Sequence, residues 1–295
     1  MKKVSVIVII FIIMIQFVAC SPNNKELPDN IRVRLSLDHN NDWGNEAINF
    51  VNINADEIVY IPKVVVLDTG ANVKDDMVSS GYNVLDNSHD VYDSDNHGTL
   101  VIAKLLNLIC YAEIIPIKIT ENEEIEHFNL LKGLEKAVIL QPDIISLSIG
   151  TKMNYPDIAD IINEAINKNI IVIAAAGNQY GDELLFPAQY DGVISVLARD
   201  INNMDCAYNN KSRTKRSYSA PGEHILVNNE YMSGSSIAVS YVTAIVSQMI
   251  AICGRGKLNE ERVNQILSSA SFYPTKYSYG LVQYDASISK SRAID

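Results

Sequence analysis

Lys63-Val64-Val65-Val66-Leu67-Asp68-Thr69-Gly70 is the stretch on which the fold turns. Its apolar run has no polar break, as in a strand covered on both faces, and it ends in an Asp before Gly, a turn signal. Residues 114–119, 143–147, 170–174 and 193–197 read the same way. Between them His97–Leu108, Leu130–Gln141 and Tyr155–Asn169 carry apolar residues at helical spacing. Ser236–Ala251 and Glu260–Ala270 continue the pattern. Strand and helix in alternation imply right-handed βαβ units. The fold class is therefore α/β, with a mostly parallel central sheet and helices on both faces. Trp43–Asn54 reads as one short helix, and the alternating Ile31–Leu35 as an edge strand.

The chain has 295 residues, 47% hydrophobic and 20% charged, which suits a folded globular protein. No repeat or low-complexity linker follows residue 42, so one domain over residues 43–295 is the economical reading. A net charge of −11 repels phosphate backbones, and no nucleic-acid partner is expected. A mean hydropathy of +0.04 excludes a multispanning membrane protein. The four cysteines and five histidines show no metal-ligand spacing, so neither metal nor cofactor is expected.

Lys2 and Lys3 precede Val4–Ala19, which is apolar apart from Ser5 and Gln16. That run is shorter than the ~20 residues of a spanning helix. A basic head, an apolar run and a small residue before a polar break read as an export signal. Phe17-Val18-Ala19-Cys20 resembles a bacterial lipobox, with Phe17 where Leu is usual. On that reading residues 1–19 are a lipoprotein signal peptide and Cys20 becomes the lipidated first residue. Residues 20–42 then form a tether and edge segment, anchoring the protein on the outer face of the cell membrane. A plain cleaved signal, or an uncleaved anchor with Cys20 incidental, fits the same run. All three put the remainder outside the cytoplasm. Removing residues 1–19 leaves 22 basic against 35 acidic residues, a balance of −13.

In open α/β sheets ligands bind at the carboxyl ends of strands, so polar residues there are the candidates. Asp68 ends the first strand, His97 opens a helix in Asn96-His97-Gly98, and Asn178 follows Ala174-Ala175-Ala176-Gly177. Ser236 lies in Ser233-Gly234-Ser235-Ser236. Singly, these read as two turn residues, an incidental histidine and a helix cap. Together they have complementary chemistry: Ser as nucleophile, His as base, Asp as orienter and Asn as an oxyanion donor.

The order Asp–His–Ser and the motifs around it resemble the subtilisin-like serine peptidases (subtilases, peptidase family S8). The matches are Val65–Gly70, His97-Gly98-Thr99, Ser146–Gly150, Ala175–Asn178, Tyr218–Gly222, Ser233–Ala238 and Tyr279–Ala286. The resemblance covers roughly residues 43 to 290. The resemblance implies a three-layer subtilisin-like fold and peptide-bond hydrolysis, with Asp68, His97 and Ser236 catalytic and Asn178 in the oxyanion hole. It implies that Ser148, Ile149 and Gly150 run beside a peptide or protein substrate, and that Ala176 and Gly177 border the specificity pocket. Asp182 and Glu183, the only acids in the segment after Asn178, then favour a basic P1 residue. Solvent exposure of both, with Leu184, Leu185 or Tyr180 shaping an apolar pocket, is the alternative. The family also implies a cis peptide at Phe186-Pro187. It further implies that the calcium-binding insertion of many relatives is missing, because His97–Leu108 runs almost directly into the next strand.

Three positions depart from the family. Ser240 and Tyr241 replace a Pro and a His behind the nucleophile, and Leu100 replaces a second His. None does chemistry, but helix packing behind Ser236 must differ. Residues 21–42 are too short for a folded prodomain, so the chain folds unaided or with a segment encoded elsewhere. The basic loop Lys211–Arg216 reads as solvated, with a headgroup contact or a processing site as minor alternatives. The leading expectation is a membrane-tethered serine endopeptidase, in narrower form a processing enzyme similar to lantibiotic leader peptidases. The competitors are a catalytically silent binding protein on the same scaffold, disfavoured by three intact triad residues, and a solute-binding lipoprotein, which leaves those motifs unexplained.

Overall fold

Among its described residues the chain builds one sheet of eight parallel strands. The computed structural model describes residues 43–109, 111–122 and 124–294. The export signal, Cys20, the tether and the Ile31–Leu35 strand expectation lie outside them. The strands are β1 Lys63–Asp68, β2 Tyr82–Asn83, β3 Glu113–Lys118, β4 Ile144–Leu147, β5 Ile171–Ala175, β6 Ile194–Arg199, β7 Ser217–Pro221 and β10 Ser278–Leu281, in the sheet order β10-β7-β6-β5-β4-β1-β3-β2. A separate antiparallel hairpin joins β8 Ile225–Val227 to β9 Glu230–Met232. The helices are α1 Trp43–Ala47, α2 His97–Leu108, α3 His127–Ile139, α4 Pro156–Asn167, α5 Ser235–Cys253, α6 Glu260–Ala270 and α7 Tyr284–Ser291. The expected helix over Trp43–Asn54 stops at Ala47, and the chain turns through Asn49 at a φ of 51°.

Side chains alternate across a strand, and that alternation separates the two faces. Val65 and Leu67 of β1 join Ile145, Leu147, Ile115 and Ile117 in an apolar core with Leu130, Leu134 and Val138 of α3 and Ile158 and Ile162 of α4. Val64, Val66 and Asp68 are equally buried but point the other way, toward α2 and α5. Ser146, in register with Val66, bonds to Thr243 of α5 at 3.0 Å, which fixes that direction. Helix α5 is apolar and long enough to cross a membrane, yet it is packed among β4–β7, α2 and α7 and buried almost all round. It is a core helix.

Strand β1 pairs with both β3 and β4, and the chain leaves its end toward β2 and β3 before returning to β4 on the other side. That reversal opens a crevice beyond the carboxyl ends of β1 and β4, the usual ligand position in such sheets. The departures behind Ser236 are absorbed here. Tyr241 is fully buried, with the Lys104 ammonium of α2 4.4 Å from its ring centroid, and Ser240 Oγ donates to Val101 O at 3.0 Å. The Phe186–Pro187 peptide is cis. The basic loop is only partly solvated: Ser212 is buried, and Arg216 Nη2 donates to Thr275 O and Ser278 O at 3.2 and 2.6 Å.

Candidate active site

Asp68, His97 and Ser236 come from three elements, and the sheet reversal brings them to one cleft. Asp68 is the last residue of β1 and buried, on the face that meets α2 and α5. His97 is the first residue of α2 and Ser236 the second of α5, so both side chains stand at helix starts above the strand ends. His97 Nδ1 donates to Asp68 Oδ1 at 2.6 Å. The same oxygen accepts from the Thr69 backbone N–H at 2.8 Å, which holds the carboxylate in its plane. Ser236 Oγ donates to Ser148 O at 2.7 Å, while Ser148 Oγ donates to Ser236 O at 3.0 Å. This reciprocal pair ties the start of α5 to the segment following β4.

The start of α2 is built by Asp93, which sequence reading did not single out. Its Oδ2 accepts from Thr99 N and Oγ1 at 2.8 and 2.6 Å, and its Oδ1 from Asn96 N at 3.0 Å. Burial works to raise the Asp93 pKa, but the bonds from Thr99, Thr69 and Asn96 outweigh it and hold the carboxyl below its ordinary value. Asp93 thus acts as a helix cap that sets where His97 begins. The signal was present in the Asp93-Ser94-Asp95-Asn96 run ahead of the helix, whose capping side chain lies farther upstream than a standard cap.

Asn178 follows β5 and faces the same cleft. Its Oδ1 accepts from Ser235 N at 2.8 Å and Ser235 Oγ at 2.9 Å, which leaves the amide Nδ2 without a partner among the described residues. Ser235 was not predicted as a site residue. Gly234 approaches that amide at a φ of 147°, and a Cβ there would stand 2.8 Å from Asn178 Nδ2. Only glycine suits both the backbone angle and the space. The cleft therefore presents a hydroxyl, an imidazole braced by a buried carboxylate, and an oriented amide donor.

The walls of the cleft are Ser148, Ile149 and Gly150 on one side and Ala175, Gly177, Asn178 and Gln179 on the other, with Leu185 between them. Thr151 and Phe186 exchange two backbone hydrogen bonds of 2.8 Å, and Leu185 N–H donates to Ala176 O at 2.9 Å, which closes the floor. A Cβ on Gly150 would meet Phe186 O at 2.9 Å and Leu185 Cβ at 3.0 Å, so the glycine lets the floor approach. Two expectations are corrected here. Ala176 is buried in the sheet, bonded to Val196 O and Leu185 N, and does not line the cleft. Asp182 and Glu183 are exposed and absent from the pocket. The reason is Asn210: its Oδ1 accepts from Gln179 N at 2.8 Å and its Nδ2 donates to Glu183 O at 2.9 Å. That pinning turns the charged pair outward and Leu184 and Leu185 inward. Tyr180 is also exposed.

A profile described as the subtilase family matches residues 61–283, three quarters of the chain and every residue of the cleft. The chain belongs to the subtilase family. This subtilase is 26% identical to the minor extracellular protease Epr of Bacillus subtilis over 252 residues, 78% of the chain and 39% of that relative. It is 29% identical to the thermophilic serine proteinase of a Bacillus species over 241 residues, 75% of the chain and 60% of the relative. It is 28% identical to the thermostable alkaline protease of Halalkalibacterium halodurans over 283 residues, 88% of the chain and 76% of the relative. The first two relatives are thus considerably longer than the stretch matched. Among solved structures, the protease domain of PatA superposes with a TM-score of 0.68 at 19% identity, over 79% of this chain and 96% of that one. A lanthipeptide protease superposes with the same score and identity, over 78% and 87%. Both share the fold of this subtilase.

Proposed function

We propose that this subtilase is an exported serine endopeptidase working through Asp68, His97 and Ser236. The observation that carries this reading is the His97–Asp68 bond of 2.6 Å opening onto the cleft that holds Ser236. With Nδ1–H committed to Asp68, the other ring nitrogen is the basic one. Attack requires the Ser236 hydroxyl to give up its bond to Ser148 O and turn to that nitrogen. His97 takes the proton as Oγ adds to the scissile carbonyl, then passes it to the leaving amine. Asp68 stabilises the imidazolium between these steps. The developing oxyanion is met by Asn178 Nδ2 and by the Ser236 N–H, one of the orphan donors of the first turn of α5. A peptide adds as an extended strand along Ser148–Gly150, and its P1 side chain rests on Leu185, which favours apolar residues.

Two finer elements belong to the same proposal. The lipobox-like run before Cys20 supports a lipid anchor on the outer face of the cell membrane. The fold shared with a lanthipeptide protease, in a small catalytic domain, supports a role in leader-peptide processing. A fluorophosphonate probe tests the core of the reading: it should label wild type and not Ser236→Ala. Labelling of the variant would assign the nucleophile elsewhere, and no labelling of wild type would favour a silent scaffold. Incorporation of an alkynyl fatty acid, lost in Cys20→Ser, tests the anchor.

A further inference from the structure

Lys211-Ser212-Arg213-Thr214-Lys215-Arg216 concentrates cations in an acidic chain, and the proposed chemistry uses none of them. One of them turns inward. The Lys215 ammonium donates to Ala188 O at 2.8 Å and, more closely still, to Tyr190 O. Its backbone N–H is anchored on the buried Ser212 Oγ at 3.3 Å. Both carbonyls belong to one tight turn, closed by Gln189 N–H to Leu185 O and Tyr190 N–H to Pro187 O, each 3.0 Å. That turn continues directly from Leu185 and Phe186, which floor the substrate cleft. Two other ties hold the floor: Leu185 to Ala176 O just past the end of β5, and Phe186 to Thr151. Lys215 supplies a third, from the segment leading into β7. An ammonium can meet two converging carbonyls with charge-assisted bonds, which a neutral side chain of that length cannot.

We propose that Lys215 is a positioning residue for the substrate pocket, its ammonium clamping the 185–190 turn so that Leu185 is held at a fixed depth against the P1 side chain. This rests on the peptidase reading above. Burial lowers the Lys215 pKa to about 8, with the Asp191 and Glu260 carboxylates acting in the opposite direction. The clamp therefore loses its charge in mildly alkaline solution, and pocket selectivity loosens with it.

The test compares wild type with Lys215→Met and Lys215→Arg in the full chain. It follows fluorophosphonate labelling, thermal melting, and kcat and KM on peptides carrying Leu or Ala at P1. The reagent does not fill the pocket, so Lys215→Met should label at the wild-type rate. Its KM for the Leu peptide should rise about tenfold, the lower end of what one ill-seated methylene costs in an apolar pocket, with kcat changing far less. Lys215→Arg, which keeps the donors, should recover most of that loss. In wild type the Leu-to-Ala ratio of kcat/KM should fall between pH 7 and 9, and the ratio cancels any pH effect common to both substrates. A folded Lys215→Met with unchanged KM and P1 ratio overturns the proposal. So does a wild-type ratio that is flat across that range, a result available even if the variant fails to fold. Labelling lost in parallel with cleavage also overturns it, because the effect would then be general. A wild type that neither labels nor cleaves removes the peptidase reading and the proposal together.

Discussion

The two faces of the sheet are packed by different chemistry. Under α3 and α4 the buried layer is apolar, from Val65 and Leu67 to Ile158 and Ile162, and polar contacts such as His127 with Asp157 lie at its rim. Under α2 and α5 the equally buried layer holds polar atoms: Asp68 against His97, Ser146 against Thr243, Ser240 against Val101 O, and Lys104 over Tyr241. Apolar packing is non-directional and sets stability with little demand on angle. Hydrogen bonds have preferred lengths and angles and cost most when left unmade, so they register one element on another. The face that must hold three side chains from three elements in one geometry is the face built from directional contacts.

The sharpest way to break this contrast is Ser236→Ala. It should remove about 10⁶ of turnover, as nucleophile loss does in subtilisin, and leave the melting curve unchanged. A large drop in melting temperature would mean that the cleft face also supplies bulk stability. Asn178→Ala should cost ~10²–10³ in kcat, the scale measured for an oxyanion donor. Its effect on KM should be small, since the amide meets charge that develops only in the transition state. Leu67→Ala on the opposite face should do the reverse. It should lower unfolding free energy by about 2–5 kcal/mol, read by urea denaturation, with the kcat of the folded fraction intact.

Asp93→Asn lies between the two classes. Because the folded carboxyl sits below its unfolded value, its contribution is complete above about pH 4 and is lost as the pH falls through the lower folded value. The variant should flatten the acid side of the stability profile and, by loosening the start of α2, reduce kcat as well. A profile that keeps its wild-type acid slope would remove Asp93 from that role. Smallest of all should be Asp182→Ala. An exposed loop charge away from the cleft should change stability by no more than about 0.5 kcal/mol. It should also leave Leu preferred over Arg at P1 in a fluorogenic panel, and a preference for Arg lost in the variant would restore the acidic pocket.

Much of the fold was legible because burial on both faces leaves a compositional trace. The runs at 63–67, 114–119, 143–147, 170–174 and 193–197 all became strands, and His97–Leu108 and Glu260–Ala270 became helices with those bounds. Strands β2, β8, β9 and β10 were not foreseen. They are two to four residues long, and periodicity cannot register over so short a stretch. Strand β7, Ser217-Tyr218-Ser219-Ala220-Pro221, reads as polar, yet it is buried because Ser217 bonds Ser195, and Ser219 bonds Ser278 and Asp205. In the cleft, Asp68, His97, Asn178 and Ser236 were legible because each sits in a short motif at a strand or helix end. Ser235 and Asp93 were harder to see, because what they do is hold another residue.

By itself the sequence determined the order of the five long apolar strands and of the helices that alternate with them, and the identity of the groups available for chemistry. These follow from local pattern, since period and composition are properties of neighbouring residues. Only the tertiary structure decided which side chains floor the pocket. Asp182 and Glu183 face solvent and Leu185 faces the cleft because Asn210, from another loop, satisfies the backbone between them. Lys215 points inward for the same kind of reason: Ala188 and Tyr190 present two carbonyls that need a donor, and nothing in the local run of cations marks which one will reach them.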